Sequence, residues 1–160
     1  MKRFALILLA LVMTVLCASC GQTDTAETSA GQPETAAQWV DLLAQELSFD
    51  DTMTLVSENA ASVYGIQDED GYTGDCALYI STMATPEEIA VFRADSVLSS
   101  ADLTVLAAAR LMRQKESYAD YAPGEVPKLE SAVVRTIGDF VIVCVCADNA
   151  KAETLLDAYA

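Results

Sequence analysis

The segment Phe140-Val-Ile-Val-Cys-Val-Cys-Ala147 is apolar at every position. Successive side chains of a strand point to opposite faces, so a strand with no polar alternates must be covered on both. It belongs inside a sheet, with other elements packed above and below it. Just upstream, Ser131-Ala-Val-Val-Arg-Thr136 reads as its partner strand, and Ile137-Gly138-Asp139 as the tight turn between them. This hairpin commits the C-terminal part of the chain to an antiparallel sheet.

The remaining elements are read outward from it. From Ala37, the residues Trp39, Val40, Leu42, Leu43 and Leu47 recur at helical spacing and predict an amphipathic helix. Thr52 to Val56 is a short apolar stretch, either strand or turn. Glu58 to Tyr64 reads as a short helix stopped by Gly65, and Asp68-Glu-Asp-Gly71 as a polar turn. Cys76 to Ser81 and Glu88 to Arg93 read as neighbouring strands turned at Thr85-Pro86. The second could instead be one turn of helix capped by Thr85 with Glu88 at the capping-box position; the strand is preferred. Ser100 or Asp102 is expected to cap the longest helix, whose inward face carries Leu103, Leu106, Ala107, Leu111 and Tyr118. Tyr121-Ala-Pro123-Gly124 is its stop, and a last helix covers about Asn149 to Ala158. The fold class is α+β: an antiparallel sheet of four to five strands in a β-β-α-β-β-α core, with helices packed on it.

The N-terminus carries a different message. Met1-Lys2-Arg3 precedes a run of roughly 15 apolar residues and then small ones, the layout of a secretory signal peptide. A transmembrane helix would need about 20 apolar residues. Leu16-Cys17-Ala18-Ser19-Cys20-Gly21 resembles a lipobox in Ala18, Ser19 and Cys20, and departs from it at Cys17, where a larger aliphatic residue is usual. The resemblance implies cleavage between Ser19 and Cys20 and a diacylglyceryl group on the Cys20 thiol. It would place the chain on the extracytoplasmic face of a bacterial cytoplasmic membrane. Cys17-Ala-Ser-Cys20 also fits Cys-x-x-Cys, but that redox motif acts from a strand-to-helix turn, and here it straddles the cleavage site. Between Gly21 and Ala36 nothing larger than Ala is aliphatic, so this stretch is expected to be a flexible tether. The expected organisation is therefore residues 1–19 as a removed signal peptide, 20–36 as a lipidated tether and 37–160 as one α+β domain.

Taken together, Tyr64-Gly65, Glu88-Ile89-Ala90, Tyr118-Ala-Asp-Tyr121-Ala-Pro123 and Gly138-Asp139-Phe140-Val141 give the chain a pattern that resembles a known family. It is similar to the short surface lipoproteins, widespread in Gram-positive bacteria, grouped as domain of unknown function 4358. That resemblance covers roughly Tyr64 to Ala147 and brings no activity with it.

Chemistry is constrained mostly by what is missing. There is no histidine, which removes Ser-His-Asp and Cys-His mechanisms and His-ligated zinc. Gly-x-Ser-x-Gly, Ser-x-x-Lys and phosphate-cradling glycine loops are also lacking. Aligning Asp68-Glu-Asp-Gly71 to a calcium loop puts Ile66 and Ala77 at its two ends, where oxygen ligands are required. No metal, cofactor or catalytic residue is assigned, apart from the lipid on Cys20. Removing residues 1–19 would leave seven basic against 24 acidic side chains, a net charge of −17, which excludes nucleic acid as a main partner.

Cys76, Cys144 and Cys146 admit two main readings, apolar core filler or one disulfide between Cys76 and either of the others. The tyrosines and Trp39 could form a recognition surface. Helix spacing assigns Trp39 and Tyr118 to the core, and leaves Tyr72 and Tyr121 as the candidate partner surface. The functional expectation is a membrane-tethered, non-enzymatic binding or accessory module with a protein or cell-envelope partner. The alternatives are a cation-binding protein or carboxylate enzyme, and a mostly structural envelope component.

Overall fold

The computed structural model describes residues 31–56 and 58–160. The expected signal peptide, Ser19, Cys20 and the expected tether up to Ala30 lie outside them. Five antiparallel strands form one open sheet: β1 (Thr54–Val56), β2 (Cys76–Ile80), β3 (Glu88–Arg93), β4 (Val133–Ile137) and β5 (Phe140–Val145). Their spatial order is β1-β2-β3-β5-β4. The wholly apolar β5 does lie inside, between β3 and β4, and all six of its residues are buried. Gly138 turns the β4–β5 hairpin at φ +56, in the left-handed region that glycine enters without a Cβ penalty.

Among the described residues four α-helices accompany the sheet: α1 (Ala36–Glu46), α2 (Ser100–Tyr121), α3 (Val126–Glu130) and α4 (Asn149–Asp157). On one face, Ile89, Val91, Ile142 and Cys144 meet Trp39, Val40 and Leu43 of α1 and Ala152 and Leu156 of α4. Trp39 packs edge-on against Phe140 and Tyr159, with ring centroids 6.3 and 5.2 Å away. On the other face, Ala90, Phe92, Val141 and Val143 meet Leu103, Ala107, Leu111 and Tyr118 of α2. Covering both faces buries both alternating sets of residues in β3 and β5, and each large aliphatic or aromatic side chain among them contributes about 1.5–3 kcal/mol.

Several local expectations change. Ser99, one residue earlier than expected, caps α2: its hydroxyl accepts from Asp102 N–H, and the Asp102 carboxylate accepts from Ser99 N–H at 3.0 Å. Asp102 is thus the reciprocal half of the capping box rather than the cap. Pro123 ends α2 at Tyr121 but starts a 3-10 turn (Pro123–Glu125) that runs into α3. A first helical turn has no use for the N–H that proline lacks, so the residue that stops one helix can open the next.

The proposed pairing of Cys76 with Cys144 or Cys146 fails on geometry. β3 separates β2 from β5, and Cys76 lies opposite Phe92 on the α2 side, whereas Cys144 and Cys146 belong to the α1 side. All three are free thiols. Nor is Tyr72 an exposed turn residue. It is half-buried, and its hydroxyl donates to the Arg93 carbonyl at 2.8 Å. Gly74 permits this approach, because a Cβ there would come within 2.2 Å of that same carbonyl and 2.4 Å of the Tyr72 hydroxyl.

Candidate functional site

Two glutamates interrupt the apolar pattern where the β2–β3 connection enters the sheet. Both are 1% exposed, and a buried carboxylate is tolerated only when its oxygens are satisfied. Being consecutive in an extended chain, they serve opposite sides. Glu87 accepts from the backbone N–H groups of Asp50 and Asp51, from the Thr85 hydroxyl at 3.0 Å and from Lys128 Nζ at 3.3 Å. Burial pulls the Lys128 ammonium down, but Asp50, Glu125 and Glu87 around it outweigh that and raise it, so it stays charged.

Glu88 faces α2. The Tyr64 hydroxyl donates to its Oε1 at 2.7 Å, while Arg110 Nη2 and Gln114 Nε2 donate to Oε2 at 3.0 and 3.2 Å. Arg110 and Gln114 are four residues apart on α2, hence one above the other on the same helix face. The Arg110 guanidinium also lies over the Tyr64 ring, 5.9 Å from its centroid. Burial and the neighbouring Glu88 carboxylate push the Tyr64 hydroxyl well above its usual range, so it serves as a fixed donor. Arg110 Nε and Gln114 Oε1 are buried without a hydrogen-bond partner among the described residues.

Above this cluster opens a cleft of about 340 Å³ between α2 and the β2–β3 connection. Val63, Ile80, Met83 and Pro86 form apolar wall, and Arg113 and Ser117 of α2 form the other side. A second, shallower depression of about 480 Å³ shares Met83, Ser117 and Tyr118 with the first and ends at Tyr121. The connection between the strands is tied to α2 and to the segment before β1. The Tyr118 hydroxyl donates to the carbonyls of Met83 at 3.0 Å and Thr85 at 2.6 Å, and the Asp51 carboxylate accepts from Thr82 N–H at 3.0 Å. In this frame Met83 adopts φ +74, and its side chain is 73% exposed.

Of the residues singled out from sequence, Tyr121 stands at the rim of the second depression, 67% exposed. Tyr72 is at the far end of β3, beside Arg93, so the two tyrosines do not share a surface. Burial raises the thiols of Cys144, Cys76 and Cys146, which keeps them protonated and unreactive. No group of three acidic or cysteine side chains converges as a metal site among the described residues. Glu88, Arg110, Arg113, Gln114 and Met83 were not identified from sequence as site residues. The available signal was a pair of carboxylates opening an apolar strand, and the polar set Arg110, Arg113, Gln114 and Ser117 recurring at helical spacing.

The cleft, the sheet and all of α2 fall within residues 45–146, which match the family model described as Domain of unknown function (DUF4358). No curated protein and no solved structure matches the chain. That match spans well over half of the 160 residues, and the chain belongs to the DUF4358 family.

Proposed function

We propose that this protein is a lipid-tethered, extracytoplasmic binding module that works through the cleft between α2 and the β2–β3 connection. The observation that carries this reading is Met83. A non-glycine residue at φ +74 costs roughly 1–2 kcal/mol, and such strain concentrates where an element is held for a purpose. Here it holds a large apolar side chain out in solvent, against the hydrophobic effect, beside the equally exposed Tyr121. Methionine and tyrosine are residue types favoured at contact surfaces. The bonds from Tyr118 and Asp51 prearrange the connection, which lowers the ordering cost of binding.

Bond-breaking by paired carboxylates is the weaker reading. Glu87 and Glu88 are turned to separate partner sets, and every oxygen is engaged by donors from the protein itself. Tethering rests on the residues around Cys20. Cys20→Ala should abolish lipid labelling, and continued labelling would remove the anchor from the account. The contact surface is tested by crosslinking pulldown from intact cells. A partner captured by the wild-type chain and lost with Met83→Ser and Tyr121→Ser supports the reading; capture unaffected by both rejects it.

A further inference from the structure

We infer that Met83 is an oxidative modification site: a hydroperoxide converts its thioether to the sulfoxide, and that conversion turns off the contact surface. This rests on the proposed function and adds a regulation to it.

The inference follows from where the sulfurs lie. Among the described residues the three thiols are free, with Cys144 and Cys146 buried and Cys76 half-buried. Burial raises all three above the ordinary thiol value, and peroxides attack the thiolate, so these cysteines are protected. Met53 is half-buried as well. Met83 and Met112, 73% and 62% exposed, are the sulfurs most open to solvent among the described residues. Met83 is held there by its backbone. Its carbonyl accepts from the Tyr118 hydroxyl, and its N–H donates to the Ser81 hydroxyl at 3.4 Å. At φ +74 this frame presents the side chain to water.

The chemistry is a two-electron oxygen transfer. A sulfur lone pair attacks the terminal peroxide oxygen, the S–O bond forms and the O–O bond breaks. The hydroxyl proton moves to the departing oxygen, which leaves as water or an alcohol; sulfur is oxidised and the peroxide reduced. The product reverses the reason for binding. Reduced Met83 stands in water against the hydrophobic effect, and a partner that covers it recovers that free energy. The sulfoxide is polar and already satisfied by water, so covering it costs desolvation instead. Met112 provides an internal control, because it is comparably exposed and lines neither depression.

The test treats the purified full-length chain, in bilayer discs, with dilute hydrogen peroxide and then removes the peroxide. Peptide mass spectrometry maps the oxidised residues, and the treated chain is used to bait untreated membranes from cells that lack it. Met83 and Met112 should each gain an oxygen before Met53 does, with the three thiols still open to alkylation after unfolding. Capture should fall about tenfold for the wild-type chain and for Met112→Leu, the loss of one apolar anchor. It should stay unchanged for Met83→Leu, which keeps an apolar side chain of similar size without the sulfur. Both positions are exposed, so neither change threatens folding. Methionine sulfoxide reductases, one for each epimer, should restore capture. An intact Met83 beside an oxidised Met112, full capture by a chain carrying the Met83 sulfoxide, or equal loss in Met83→Leu would overturn the inference. In those cases a partner still lost with Met83→Ser leaves the contact surface standing. Capture by no form of the chain, the untreated one included, brings down both.

Discussion

The two faces of the sheet bury similar aliphatic side chains and each admits one glutamate, but the two carboxylates are held by different partners. The face under α1 and α4 is centred on Trp39, Phe140 and Ile142 and carries the buried Glu87 at its edge, held by the backbone N–H groups of Asp50 and Asp51 and by Lys128. The face under α2 has an equally apolar interior, but toward the start of β3 it encloses Glu88 with Arg110, Gln114 and Tyr64. A buried ion pair seldom stabilises more than apolar residues of the same volume would. Glu87 thus braces the segment that leads into β1, whereas Glu88 gathers an arginine, a glutamine and a tyrosine under the cleft. The strained Met83 lies on this second side as well. Strain and buried charge coincide where the contact surface is proposed.

Truncating the face under α1 should have the largest effect. Trp39→Ala should cost about 3–5 kcal/mol in urea unfolding, because it removes a fully buried aromatic and leaves a cavity. Partner capture should be retained by whatever fraction stays folded. Glu88→Ala should come close behind, at about 3 kcal/mol, since it strands Arg110 as a partly buried charge. Replacing the pair together, Glu88→Leu with Arg110→Met, should change stability by about 1 kcal/mol or less in either direction. The same double variant should lose partner capture, and a large destabilisation there would mean that the cluster is structural. Met83→Gly should raise the unfolding free energy by up to about 1 kcal/mol by relieving the positive φ, while weakening capture.

The smallest effect is one of pH. Thr82, chiefly through its hydroxyl, holds the Asp51 carboxyl below its ordinary value. A lowered folded-state pKa contributes stability above the unfolded value near 3.8 and loses it as pH falls through the folded one. Acidification below about pH 4 should therefore loosen the cleft connection first. Amide resonances of Thr82 and Met83 should shift there before those of Trp39.

Much of this fold was legible because its signals are local and repeated. The apolar run of β5 required cover on both faces, and both faces are covered. The preference for a strand over a helix at Glu88–Arg93 was correct, since five of its six residues are buried on alternating sides. Helix spacing placed Trp39 and Tyr118 inside. What was not legible depends on elements distant in sequence. Whether Cys76 could reach Cys144 depends on strand order, and the intervening β3 is invisible until the sheet is assembled. Glu88 reads as strand punctuation until Arg110, Gln114 and Tyr64 are brought to it from two other elements. Flanking glycines suggest an exposed Tyr72, yet Gly74 lets the ring lie down against Arg93.

The most direct test of the α2-side cleft as the contact surface is site-specific photocrosslinking in intact cells. A photoreactive methionine analogue or aryl azide would be placed in turn at Met83, at Tyr121 and at Leu55, an exposed apolar residue of edge strand β1. The account predicts the same adduct from positions 83 and 121 and none from 55. An adduct from Leu55 alone, or none from Met83 and Tyr121, would contradict it.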